Sequence, residues 1–570
     1  RDFHGELYPV EEGATYNAYL VIDDQITLFD TVEEEFCEEC IERIESVLDG
    51  RSIDNIIVQH AEPDHSGGFK KIYEKYPNAK VYTTKAGVRH MQAQYIEDTP
   101  FNELKTGDTL STGKYSFTFV EMNMIHWPDN MLTYCPELKV VFSNDAFGQH
   151  IVNYQMTDEN LDKHYCIQQA KEYFANIVMP YTVPVKNKLN QILAMNLDIE
   201  MILPAHGIIW KNYFTDIIEA YKDFATLKQS NKVVIVYESV WKHTQQIAES
   251  LAEGFAAAGM DVKVYKLSIT RSSIVMKELM DAKMVCVGTG TYNNAMAPSV
   301  ASFLERVKSC KINDKKGLAF GAYGWFRNVP STLSDKLKEA GFNAVAISVN
   351  KWEYNTIETL NNWIDLLSQI FPEDAKADVV KKHSDDVYKM VQDRVKDIPD
   401  DERANVFFLF KYDETSIATS GNSFFGSWWA KAIGAKNVAD DIKKDNAVPV
   451  NMEQIYKYNP DIIFVTNFTQ AQPEDLYNNT IGSNDWSKVK AVEDKKVYKM
   501  PLGMYRSYTP GADTPMTLLW LAKTTYPDKF EDIDMTKEVK DYYKEVFGVD
   551  LTDKQVESIF APTSDAAQGF

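Results

Sequence analysis

Short apolar runs alternate with stretches of helical periodicity through most of this chain. Near the start, Asn17 to Ile22 and Ile26 to Asp30 predict paired strands around an Asp23-Asp24 turn. Phe36 to Leu48 has the spacing of an amphipathic helix. Ile56-Ile57-Val58 predicts a buried strand, and Lys114 to Glu121 and Lys139 to Phe142 predict two more. A polar break at Gln229 to Lys232 precedes Val233 to Tyr237, a continuous apolar run of the kind buried inside a parallel sheet. Ala282 to Val287, Gly317 to Gly321 and Ala344 to Val349 repeat that pattern with helical segments between them. This predicts a doubly wound α/β unit ending near Phe371. Pro372 to Asp401 is charged and helical, without a clear partner pattern. A third unit starts at Ala404, with strands at Val406 to Phe410 and Asp461 to Val465.

Composition narrows the class. A chain of 570 residues calls for roughly three or four domains. Its 44% hydrophobic and 25% charged content is that of a soluble globular protein. A net charge of −23 argues against nucleic acid or an anionic membrane surface as a partner. No apolar run is long enough to span a bilayer, and no signal peptide is visible. The chain opens on Arg1, so a preceding segment is expected to be missing. Six scattered cysteines fit a reducing compartment, and Cys37 and Cys40 read as ordinary helix cysteines, since a rubredoxin-type site needs four thiolates.

The densest chemistry lies in His60-Ala61-Glu62-Pro63-Asp64-His65. Two imidazoles and two carboxylates follow a strand and precede Ser66-Gly67-Gly68, so a tight loop can fan them onto two cations. Glu62 makes the set harder and more anionic, which moves the preference from zinc toward iron or manganese. Three more ligand-type residues sit at predicted strand ends: His126, Asp145 and His206.

A second constellation follows the strand Val233 to Tyr237. The hydroxyl-bearing loop Ser239, Val240, Trp241, Lys242, His243, Thr244 lies between a strand and a helix, which suits a phosphate. The next two strand ends carry Thr291, Tyr292, Asn293, Asn294 and Ala322, Tyr323, Gly324, Trp325. Glycine-containing loops with aromatics can flank a flat ring system.

The order His-x-Glu-x-Asp-His, then His, Asp and His, resembles the flavodiiron proteins, as do Arg1 to Gly5 and Gly13 to Leu20. The resemblance covers about residues 1–371. It implies an αββα metallo-β-lactamase-like sandwich at 1–230 and a flavodoxin-like doubly wound parallel sheet at 231–371. By resemblance, His60, Glu62 and His126 would hold one iron, Asp64, His65 and His206 the other, and Asp145 would bridge. FMN would occupy the three loops. Gly290 stands where the family often has proline, and Phe326-Arg327 where small residues are common. The implied activity is reduction of dioxygen to water or nitric oxide to nitrous oxide. The implied setting is a head-to-tail homodimer in the cytoplasm, fed by rubredoxin or a reduced deazaflavin coenzyme. His4 would line the pocket, and Trp352 would lie at the subunit junction or in the core. His90, His150, His164 and His383 read as solvated or structural.

After a helical linker at 372–403, residues 404–570 resemble the C-terminal α/β lobe of a periplasmic-binding-protein-type carrier of metal chelates, through Gly421 to Phe425, Ala432 to Ala439 and Glu453 to Asp461. Trp428, Tyr505, Arg506 and Tyr508 are cleft candidates, with structural packing as the simpler reading. Two alternatives stand beside the oxidoreductase: a zinc hydrolase of the metallo-β-lactamase type, and a chelate-binding protein led by the C-terminal lobe.

Overall fold

The computed structural model describes residues 2–3, 8–10, 12–95, 99–323, 329–346, 353–370, 377–444 and 446–567. His4, Gly324, Trp325, Phe326, Arg327 and Trp352 lie outside them. The chain folds as two compact units, 1–346 and 347–570.

The first unit opens with two five-stranded sheets. One runs in the order Tyr19–Val21, Thr27–Phe29, Asn55–Ile57, Lys80–Thr84, Phe101–Leu104. Its first pair is antiparallel and the rest parallel. The other runs Met201–Pro204, Val140–Asn144, Met131–Cys135, Ser116–Glu121, Thr109–Ser111. Phe29, Ile57, Phe117, Phe119 and Phe142 share one core between the sheets. The Phe29 and Phe142 rings stack at 4.1 Å. Helix Cys37–Leu48 covers the first sheet through Ile41, Ile44 and Leu48. Helices Lys163–Tyr173 and Phe214–Thr226 contribute to the core beyond the second. The result is a layered αββα sandwich.

The third sheet of this unit is wholly parallel, in the order Asp261–Lys266, Lys232–Glu238, Met284–Thr289, Lys316–Phe320, Asn343–Ala346. In chain order this is 2-1-3-4-5, the flavodoxin-like winding. A partly buried ion network ties it to the sandwich: Lys171 and Lys232 each approach Asp281 at 2.9 Å, and Lys232 approaches Glu278 at 2.7 Å.

The second unit is built on a mixed sheet, ordered Ala447–Val450, Ile417–Ser420, Asn405–Tyr412, Ile462–Val465, Val497–Lys499, with Lys436–Asn437 added to the central strand. Helix Thr356–Ile370 packs here, on helices Ala377–Val395 and Thr514–Thr525. The stretch read as a linker therefore carries a core helix. Its Val387, Val391 and Val395 recur every fourth residue and are buried in the unit's main core. The charge on its outer face obscures that stripe in the sequence.

Candidate functional site

The loops at one end of the αββα sandwich converge on a buried cluster of imidazoles and carboxylates. His60 follows the strand Asn55–Ile57, and the four-residue helix Pro63–Ser66 carries Asp64 and His65. Pro63 at the helix start suits its missing N–H donor. Asp145 directly follows the strand Val140–Asn144. His206 sits two residues past Met201–Pro204. His126 departs from the strand-end expectation: Ser116–Glu121 stops earlier, and His126 is delivered by the loop before Met131–Cys135. Gly207 has φ +82°, and a Cβ there would lie 1.6 Å from Gln149 Oε1, so the backbone beside His206 requires glycine.

The geometry divides into two groups. Ligand-type atoms of His60, Glu62, His126 and Asp145 lie within 4.8 Å of one another, as do those of Asp64, His65 and His206. Asp145 faces both. Its Oδ2 lies 3.1 Å from His126 Nε2 and 3.5 Å from His60 Nε2. Its Oδ1 lies 2.9 Å from His65 Nε2 and 3.4 Å from His206 Nε2. Glu62 Oε2 stands 3.1 Å from both His60 Nε2 and His126 Nε2. Asp64 reaches His65 at 3.3 Å and His206 at 3.2 Å.

The electrostatics follow from that packing. Burial alone would lower His126, but hydrogen bonds with Asp145 and Glu62 outweigh it and raise it to about 9. Burial likewise opposes the charge on His206, and its contacts with Asp145 and Asp64 raise it to about 10. Burial pushes Asp145 up, but the charge of His65 and bonds from His126 and His206 hold it well below the usual carboxylate range. Several carboxylates and imidazoles packed together out of water are a donor set for cations, and the mixed O/N chemistry fits iron.

Partners behind the cluster escaped the sequence reading. His206 Nδ1–H donates to the Thr15 carbonyl at 2.7 Å, which turns Nε2 toward the cluster. Asp129 is fully buried and contacts His60 Nδ1 at 3.1 Å. His90 approaches Asp129 and is therefore more than a solvated histidine. His150 packs against Tyr173, whose ring also meets His206 at 5.8 Å. His164 is exposed and His383 pairs with Glu545. A buried Asp in Trp127-Pro128-Asp129-Asn130 has no local sequence signal, because its partners come from two distant segments.

On the parallel sheet, the described residues of the three candidate flavin loops meet at the C-terminal strand ends, at the switch point of the winding. Thr244, buried in the first turn of helix His243–Ala257, accepts from Ala322 N–H at 3.4 Å. Thr291 N–H donates to the Ala322 carbonyl at 3.2 Å. A Cβ on Gly290 would meet Thr244 Oγ1 only at 3.6 Å, so the cradle has room. Asn293 and Asn294 take positive φ in the turn between Thr291–Tyr292 and Ala295–Met296. Ser239 is buried, whereas Val240, Trp241, Tyr292 and Tyr323 are exposed around the cradle, Trp241 to 81%.

Family models match the stretches of chain that carry these loops. A family model described as ODP family beta lactamase matches residues 14–207, and a flavodoxin model matches 235–364. A nitric oxide reductase of Moorella thermoacetica is 41% identical over 61% of this chain and 87% of its own length. The chain belongs to the flavodiiron proteins. This flavodiiron chain is also 34% identical to an anaerobic nitric oxide reductase flavorubredoxin of Vibrio vulnificus, over 62% of this chain and 72% of the relative. Among solved structures, rubredoxin oxygen:oxidoreductase from Desulfovibrio gigas is 37% identical with a TM-score of 0.59, covering 61% of this chain and 88% of that one. The flavodiiron protein from Giardia intestinalis is 30% identical with a TM-score of 0.57, covering 60% and 86%. A periplasmic binding protein model matches residues 321–502.

The second unit resolves its cleft candidates unevenly. Tyr508 is a core residue whose hydroxyl accepts from Gly426 N–H at 3.0 Å. Trp428 stacks on Tyr388. Arg506 donates to the Ala566 carbonyl at 3.0 Å and lies over Phe468. Tyr505 is half exposed. Among the described residues, no helix is long and apolar enough to cross a membrane.

Proposed function

We propose that this chain reduces dioxygen to water, nitric oxide to nitrous oxide, or both, at a diiron site fed with electrons through FMN. The observation that carries the reading is the two-sided Asp145, with one oxygen toward His60 and His126 and the other toward His65 and His206. His60, Glu62 and His126 would hold one iron, Asp64, His65 and His206 the other, with Asp145 between them. Ser239, Val240, Trp241, His243 and Thr244 would hold the FMN phosphate at a helix N-terminus. Thr291 to Asn294 and Ala322 to Trp325 would flank its ring. When bound, the irons and FMN supply the one-electron redox steps that protein side chains cannot.

The chain's own residues set the conditions. His60, His65, Asp145 and His206 are almost wholly buried, which keeps water from one side of the site. Glu62 and Asp64 are the more open members, with side chains 14% and 17% exposed, so a small gas reaches the site over these carboxylates. The division at about residue 230 between metal and flavin parts belongs to this reading. So do a head-to-tail homodimer, an external donor such as rubredoxin or a reduced deazaflavin coenzyme, and a cytoplasmic setting. Exposed Trp241 and Tyr292 beside the flavin loops support an approach by a second subunit or donor.

Metal and flavin analysis with anaerobic turnover tests it. Two irons and one FMN per chain, with consumption of either gas by the pre-reduced protein, are expected. Two zincs without flavin would overturn it.

A further inference from the structure

The two metal groups differ in what stands behind their histidines. His206 is backed by a neutral carbonyl, that of Thr15. His60 is backed by a carboxylate. Asp129 Oδ2 lies 3.1 Å from His60 Nδ1 and accepts the Ala61 N–H at 2.7 Å. The Asp129 carbonyl accepts from Thr84 Oγ1 at 3.1 Å, and Thr84 in turn caps helix Lys85–Gln94. That helix carries His90, whose Nδ1 stands 3.2 Å from the other Asp129 oxygen, with a side chain 32% exposed. Trp127 fills the wedge, edge-on to His60 at 5.1 Å and to His90 at 5.8 Å. A continuous line thus runs from Glu62 and Asp145 through His60 and Asp129 to His90 at the surface.

We propose that Asp129, steadied by His90, is a positioning residue that fixes His60 with Nδ1 protonated and Nε2 directed at the first metal. This rests on the metal reading above and goes beyond the ligand set. An ionised carboxylate can only accept, so it selects the Nδ1–H tautomer. It also makes the imidazole a stronger donor, and loss of such a partner weakens metal binding about 10–100-fold. Because His206 relies on a carbonyl instead, the effect is selective for the group of His60, Glu62, His126 and Asp145.

The test is anaerobic Fe(II) titration of metal-free protein at constant pH, resolving the two equivalents. Asp129→Asn is expected to weaken one equivalent about 10–100-fold and leave the other and the flavin content unchanged. His90→Ala, on a part-exposed helix face, keeps the fold even if Asp129→Asn does not. It is expected to weaken the same equivalent by a smaller factor, and His90→Asn, which retains an N–H, to restore it. Unchanged binding in both variants, or equal loss of both equivalents, overturns the inference while leaving the metal reading intact. A wild-type chain that takes up no pair of ions overturns the metal reading itself.

Discussion

Loading the metal-free cluster should expel protons at a pH where ordinary histidines have none to give. His126 is raised to about 9 and His206 to about 10 by the carboxylates around them. A metal ion needs the neutral imidazole, so each must deprotonate on binding. At pH 8 these two are roughly 0.9 and 0.99 protonated, giving about 1.9 protons released, whereas four imidazoles near 6.5 would give about 0.1 together. His60 and His65, also raised, add to the first figure. The overall constant for binding both ions should therefore rise by at least about two log units per pH unit between pH 7 and 8, about one of them from each group. The assay adds two equivalents of Fe(II) to weakly buffered metal-free protein under argon, with release read by pH-stat against a protein-free control. Release near 0.1 proton, or affinity flat with pH, would refute the coupling. Folding carries the same linkage. The raised histidines stabilise the metal-free protein fully below about pH 6.5, and that contribution fades as pH climbs through about 9 and 10, so its melting temperature should fall over that range.

Asp145→Asn removes the charge facing both groups and should weaken iron binding at least ~10-fold with flavin retained; full iron content and full activity would end the bridging role. At the ion network, Asp281→Asn strands Lys171 and should cost about 2–3 kcal/mol, below the range for a fully buried pair because Asp281 is partly exposed, while Lys171→Met leaves Asp281 paired with Lys232 and should cost under ~1 kcal/mol. Denaturant midpoints compare the two, and equal effects would reject the asymmetry. Gly207→Ala combines a Cβ overlap with Gln149 and positive φ, for an expected loss of about 2–4 kcal/mol in the same assay.

What the sequence made legible follows from which interactions are local. The ligand hexapeptide is contiguous, and the apolar runs of the parallel sheet are bounded by polar turns, so both could be read directly. Val233 to Tyr237 extends by one residue at each end in the structure. Asp129 was illegible because its meaning lies in His60, Ala61 and His90, brought to it by two other segments. His126 was recognised as a ligand type but misplaced on a strand end, since the apolar run Met122 to Ile125 mimics a strand while folding as a turn-rich loop. The ion network at Asp281 was likewise invisible, its lysines looking like ordinary surface charge.

Helix Thr356–Ile370 alters how the chain can be cut. The flavodoxin match ends at 364, inside this helix, and the periplasmic-binding-protein match has already begun at 321. Ile357 and Leu360 are buried, and Lys381–Asp365 at 2.8 Å and Asn361–Asp385 at 3.0 Å fasten the helix to its neighbour. A truncation after residue 371, the boundary expected from the sequence pattern, keeps the helix and discards what it rests on. Such a fragment would display an orphaned apolar stripe and aggregate, so the C-terminal region is not a removable tail. The two matches overlap over 321–364, and that overlap ends inside this helix.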